Sequence, residues 1–284
     1  MKEVIIKSRN SEDLLQQLIS LYSIFKNIEK GEKIIFNFNK VKWLNPIILL
    51  PITSYIEKTK SSFIESGDKN TNDYMNTVCF PKGIDSIIDF ERLINQGKSY
   101  IPISVLRRNK GKGREQLESM FSNLIYKVLG SIDGAQNVIY HPISELITNI
   151  FDHSKEDSGF VFGQYYPNKQ YLDICIADTG RGLSRAYKDE KDLELSDKES
   201  IREALKGNST KAGKERGYGI WTSKRIVCEC LGGQFIILSG SSAYVSYGKE
   251  EKLVSLPNFY WQGVIISYRI PKPQKSVNIY PYLE

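Results

Sequence analysis

Glu145, Asn149, Asp152 and His153 stand at offsets of zero, four, seven and eight, a spacing that puts all four on one face of a helix from Pro142 to His153. Leu146, Ile147, Ile150 and Phe151 take the opposite face. A carboxylate and an amide on a narrow polar stripe either face solvent, as in an ordinary amphipathic helix, or line a polar pocket. A second carboxylate, Asp178, ends a strand from Tyr171 in which Leu172, Ile174 and Ile176 alternate with Asp173, Cys175 and Ala177, the pattern of a half-buried strand. Thr179-Gly180-Arg181-Gly182 follows it. Asp beside glycines builds turns, and it is also how a carboxylate is presented to a ligand that the backbone approaches closely. The third element is Gly213-Lys214-Glu215-Arg216-Gly217-Tyr218-Gly219-Ile220, leading into an amphipathic helix over 218–231. Backbone amides of a Gly-rich turn at a helix start suit phosphate oxygens, helped by the helix dipole.

In this order the three elements resemble the motifs of the GHKL superfamily of ATPases: gyrases, heat-shock chaperones, histidine kinases and MutL proteins. Glu145-Leu-Ile-Thr-Asn149-Ile-Phe-Asp152-His153 is similar to the family's N-box, Asp178-Thr-Gly180-Arg-Gly182 to its adenine-binding box, and Gly217-Tyr218-Gly219 to its phosphate-binding glycine box. Gly233 to Ser239 and Gly263 to Pro271 resemble the closing strands, so the resemblance runs from about Glu115 to Pro271. It implies an ATP site in which the Asn149 amide oxygen completes a magnesium shell, a role magnesium's preference for oxygen ligands suits. It also implies that Asp178 accepts a hydrogen bond from the adenine amino group while Gly180 and Gly182 let the base lie against the backbone. Residues 183–216 would form the lid, with Lys211, Lys214 and Arg216 meeting phosphate charge. Glu145 matches the general base of GHKL hydrolases, an acid typical histidine kinases lack and anti-sigma serine kinases share; their N-box, ending in His, is especially similar to this one.

Only His141 and His153 exist, both at this helix, so no acceptor histidine is available on a separate dimerisation helix and histidine autophosphorylation is not expected. Three functions follow: an ATPase whose lid cycle regulates a partner, a serine/threonine kinase of the anti-sigma type acting on another chain, or an ATP-sensing scaffold that barely hydrolyses. A protein partner, including a second copy of the chain, is expected with each.

The elements that must position these residues divide the chain at the basic, Gly-containing stretch 107–113, giving an α/β domain over 1–112 and the nucleotide domain over 113–284. The second is read as an α+β sandwich of the Bergerat type, a mixed, largely antiparallel sheet with helices on one face. It would contain helices over Glu115–Leu129 and Pro142–His153 and strands near 159–166, 171–178, 234–239, 242–247 and 263–270. The first alternates strand and helix: Val4–Lys7, Ser11–Ile28, Lys33–Asn39 and Pro46–Thr59. Gly67-Asp68-Lys69-Asn70 reads as a loop, Ile84–Ile94 as helical and Tyr100–Leu106 as extended. The stretch from Lys33 to Asn45-Pro46 resembles the strand-to-helix turn of STAS domains, the usual partners of anti-sigma kinases. Asn45 stands where those domains carry a phosphorylatable Ser or Thr, so no self-contained phosphoswitch is expected; an unrelated βα unit is the other reading.

Composition sets the frame. With 40% hydrophobic and 25% charged residues the 284-residue chain is globular, and its net charge of +6 decides little. The basic run Arg107, Arg108, Lys110, Lys112, Arg114 has no interleaved aromatics, so a solvated loop is preferred to a nucleic-acid contact. The cysteines, Cys79, Cys175, Cys228 and Cys230, fit neither a disulfide framework nor a four-ligand zinc site. The N-terminus lacks a signal-peptide core and no apolar stretch is long enough to span a membrane, so a cytoplasmic location is expected.

Overall fold

The structure is a computed structural model and describes residues 1–7, 13–93, 99–108, 115–116, 119–120, 122–123, 125, 133–208 and 219–283. Of the linker expected over 107–113, residues 109–113 lie outside the described residues, as does most of the helix expected over Glu115–Leu129, while Arg107 belongs to a strand.

The N-terminal part is a βαβαβ unit. Strands β1 (Lys2–Ile5), β2 (Ile34–Asn37) and β3 (Ser62–Ile64) form a parallel sheet in that order. Helix α1 (Leu14–Phe25) starts at Asp13, whose carboxylate accepts from the Leu15 N–H at 2.9 Å. Helix α2 (Pro46–Thr59) has Pro46 in its first turn and Asn45 as its extended cap residue. Ile47, Ile48, Leu49, Leu50 and Ile52 of α2 are all fully buried, so this helix has no solvent face along its first half and must be covered on every side. What covers it is α1, the three-stranded sheet and, in direct contact, the face of a second sheet.

Two corrections belong here. Gly67–Asn70 is not simply a loop, because Asp68 caps the helix α3 (Lys69–Thr77) by accepting from the Asn70 N–H. The expected helix at 84–94 is shorter, α4 (Ile87–Leu93).

The second sheet has seven strands: β4 (Tyr100–Arg107), β5 (Ser158–Tyr166), β6 (Tyr171–Ala177), β7 (Gln234–Gly240), β8 (Ser242–Tyr247), β9 (Glu250–Ser255) and β10 (Trp261–Pro271). Their order is β4-β5-β6-β10-β7-β8-β9, and each described pairing is antiparallel. The sheet is largely antiparallel as the sequence suggests, with one isolated parallel bridge from Ile84 to Ser104 of β4, and the parallel strands are those of the smaller sheet. Strand β4, which precedes the break drawn at residue 112, is the outermost strand of the larger one.

Helices α5 (Ala135–His153), α6 (Gly182–Lys191), α7 (Asp197–Leu205) and α8 (Gly219–Arg225) pack on one face. Helix α5 starts about two turns before Pro142, which sits inside it rather than opening it. The other face is covered too, by α2, so β6 is buried on both sides rather than half-buried: Leu172, Ile174 and Ile176 face the helices, Cys175 and Ala177 face α2. The segment expected as lid, 183–216, is described as far as residue 208. Residues 182–205 are the helices α6 and α7, held by buried Leu183, Ala186, Tyr187 and Ile201 and by a capping box of Ser196 with Glu199. Helix α8 runs on into a π-helical turn, Ile226–Cys230.

Candidate functional site

Helix α5 buries Ile143, Leu146, Ile147 and Phe151 in the core, which turns Glu145 and Asn149 to its half-buried opposite side. The residue they meet there is Gly219, the first of α8. A Cβ at that position would lie 2.5 Å from Asn149 Nδ2, so that the amide would have to shift, and 3.1 Å from Glu145 Oε2. The helix that follows the Gly-rich turn is thereby seated on the two polar residues of α5.

Asp178 follows the last residue of β6 and is 2% exposed. Its backbone N–H still belongs to the sheet, donating to Val264 O at 2.9 Å, while its Oδ1 accepts from the Gly180 N–H at 2.8 Å. Burial pushes its carboxyl up to about 7; donation from the Gly180 and Val264 amides opposes this, and the charge of Glu156 adds to it. A buried acid that ionises near neutrality at the end of a strand is a candidate for ligand recognition. Gly182 opens α6, and the next amide, of Leu183, donates to Ser239 Oγ at 3.0 Å. Arg181, between the two glycines, pairs with Asp189 and Glu190 of α6.

The two halves of the site are stitched by Ser154. Its carbonyl accepts from the Arg181 N–H at 3.1 Å, its Oγ accepts from the Glu156 N–H at 3.0 Å, and a Cβ at Gly180 would come within 2.5 Å of it. The loop after α5 and the loop after β6 are therefore one packed unit, which carries Glu145 and Asn149 into the same region as Asp178. Lys211, Lys214, Arg216, Gly217 and Tyr218 lie outside the described residues. Ser154, Ser239, Trp261 and Gly263 were not singled out by sequence; serines and an aromatic in a strand carry no local signal of such a role.

Residues 134–258 match the family model described as Histidine kinase-, DNA gyrase B-, and HSP90-like ATPase. The match takes in Glu145, Asn149, Asp178 and Gly219, and it supports an ATP-binding region of the GHKL type within this chain. None of the curated proteins matches the chain.

The residues present fit ATP with magnesium. Asp178 supplies a buried acceptor, and the close approach of Gly219 leaves backbone rather than side chain beside Asn149. Among the described residues no group of three or more His, Cys, Asp or Glu could hold a metal ion. Among the same residues no helix is long and apolar enough to cross a membrane.

Proposed function

We propose that this chain binds magnesium-ATP and hydrolyses it, and that the change of nucleotide state regulates a protein partner. The observation that carries the reading is the seating of Gly219 directly on Glu145 and Asn149, since it sets the start of a Gly-rich helix against one carboxylate and one amide. In this reading Asn149 gives an oxygen to magnesium, and Asp178 accepts from the adenine amino group with Gly180 and Gly182 beside the base. Lys214, Arg216, Gly217, Tyr218 and Gly219 take the phosphates. Magnesium when bound neutralises phosphate charge. Glu145 accepts the proton of the attacking water, which needs hydrogen-bond reach to that water and a carboxylate that is ionised. The N-terminal βαβαβ unit is the regulatory part, and the seven-stranded sheet with its helices, β4 included, is the nucleotide-binding part.

A serine/threonine kinase of the anti-sigma type is the second reading, favoured by the glutamate and final histidine of the N-box and by the βαβαβ unit that precedes it. Incubation with γ-labelled ATP separates the two: free labelled phosphate supports hydrolysis, and label transferred to an added protein supports the kinase. Intact ATP retained on the protein would identify a sensor instead. Absence of magnesium-dependent ATP binding in calorimetry would end all three.

A further inference from the structure

The sheet edge beside Asp178 is irregular. The pairing of β10 with β7 shifts register between Trp261 and Val264, and within this bulge Gly263 has φ +116° and lies so near Asp178 that a Cβ would stand 2.2 Å from its carbonyl oxygen. The bulge places Trp261 in the core shared with the N-terminal unit. Its indole N–H donates to the Asp178 carbonyl at 3.0 Å. Its ring meets Phe25 of α1 edge-on, centroids 5.3 Å apart, and lies 6.5 Å from Tyr55 of α2. Phe25 and Tyr55 also pack edge to face with each other at 5.5 Å, and the Tyr55 hydroxyl donates to Glu32 O at 2.7 Å. The indole is thus held in an aromatic wedge built from both N-terminal helices.

A second link runs through charge. Lys58 of α2 donates to both carboxylate oxygens of Glu156, at 2.9 and 3.0 Å. Glu156 belongs to the Ser154 loop, and its negative charge acts on Asp178. A cavity of about 260 Å³ remains in this seam, bordered by Tyr55, Lys58, Thr179 and Trp261.

We propose that α1 and α2 are positioning elements of the nucleotide site, fixing Asp178 in place through the Trp261 indole and setting the field around it through Lys58 and Glu156. This rests on the reading of Asp178 as the adenine acceptor. Trp261 touches no part of a bound base in this scheme; it acts by holding the Asp178 backbone. Without its N–H the buried carbonyl has no donor from β10, and the strand end moves to regain one. Glu156 faces Asp178 from the loop after α5, and Lys58 offsets Glu156 from α2. Loss of Lys58 therefore makes ionisation of Asp178 harder, and loss of the Glu156 charge makes it easier.

The test is the pH dependence of ATP binding by the full chain, followed by calorimetry. Trp261→Phe keeps an aromatic ring in the wedge and removes only the donor; ATP affinity falls about tenfold, the size expected for one buried carbonyl left unpaired. Lys58→Met moves the pH midpoint of binding upward and Glu156→Gln moves it downward, while affinity at high pH stays near that of the wild type. A merely structural role lowers affinity at every pH without moving the midpoint, and that result, or unchanged affinity in Trp261→Phe, overturns the proposal. If Trp261→Phe does not fold, the two partly exposed charge variants decide the matter alone. Wild-type protein that binds no ATP refutes the nucleotide reading itself, before any variant is made.

Discussion

Arg269 of β10 donates to both carboxylate oxygens of Asp173 on β6, at 2.6 and 2.8 Å, with its guanidinium 3.8 Å from the centre of the Tyr171 ring. The pair sits on the face of the large sheet that the N-terminal helices cover, where the side chain of Gln17 from α1 also bonds to Asp173. Both charges are almost wholly out of water, and this ion pair is one of the polar contacts that fix how the N-terminal unit lies on the sheet.

The first prediction concerns that pair. Arg269→Met leaves the Asp173 carboxylate buried without its cation, and stability falls by about 3–5 kcal/mol. The double variant Asp173→Leu with Arg269→Met recovers most of the loss, because no unpaired charge remains. Urea denaturation of the two variants beside the wild type gives both figures; a double variant no more stable than the single one contradicts the account.

With Asp178 as the proposed adenine acceptor, ATP binding is expected to depend on pH. Its carboxyl ionises at about 7 in the folded chain instead of near 3.8. An acceptor must be ionised to take the adenine amino hydrogen in full strength, so affinity is highest above about pH 7 and declines as the site protonates below it. Calorimetric titrations from pH 6 to pH 8.5 follow this directly.

The same shift predicts a stability change of opposite sign to the functional one. Between pH 4 and 7 the unfolded chain holds fewer protons at this position than the folded one, so ionising the buried Asp178 costs folding free energy as pH rises through that window. Asp178→Asn removes the cost. At pH 8 the ligand-free variant is more stable than the wild type by roughly 2–4 kcal/mol, yet it binds no ATP. Thermal melts with and without nucleotide test both halves, and a variant less stable at pH 8 than at pH 5 relative to wild type would sink the argument.

Gly219→Ala separates backbone needs from contact needs. Alanine is an excellent helix residue, so α8 itself tolerates the change. The new methyl nevertheless meets Asn149 Nδ2 at 2.5 Å and forces the two apart. The expected result is a folded protein whose magnesium-ATP affinity drops at least about tenfold, in keeping with loss of an ångström-level fit. Unchanged affinity would show that the Asn149 position is unimportant.

Glu145→Ala bears on the reaction rather than on binding. Removal of a general base lowers turnover by about 10² to 10⁴. Nucleotide affinity stays within a few-fold, since Glu145 is not assigned a contact with the base or the metal. Steady-state phosphate release together with equilibrium binding distinguishes these, and turnover equal to wild type removes Glu145 from its role.

Much of the fold was legible because its signals are local. Pro46 in a first turn and the apolar run behind it define α2 from Pro46 to Thr59, with both ends where the sequence puts them. Alternation along Leu172, Ile174 and Ile176 marks β6, although alternation alone could not reveal that Asp173, Cys175 and Ala177 would be buried as well. That second burial comes from α2, more than a hundred residues earlier in the chain. The stretch after Gly182 reads from its residues as a charged segment and is a lid only by the family resemblance. Its few apolar residues fall at helical spacing and find the sheet, so α6 and α7 form there.

By itself the sequence determined the residue types and their order: a Glu and an Asn one helical turn apart, an Asp at a strand end beside glycines, and a Gly-rich entry into a helix. Helical and strand periodicity fix such spacings without reference to the rest of the molecule. Tertiary structure alone decided that Gly219 rests on Glu145 and Asn149, that Ser154 joins the two loops, and that Trp261 carries the N-terminal helices to the Asp178 backbone. These are contacts between residues 26 to 236 positions apart, set by which faces must be buried together, and no local pattern encodes them.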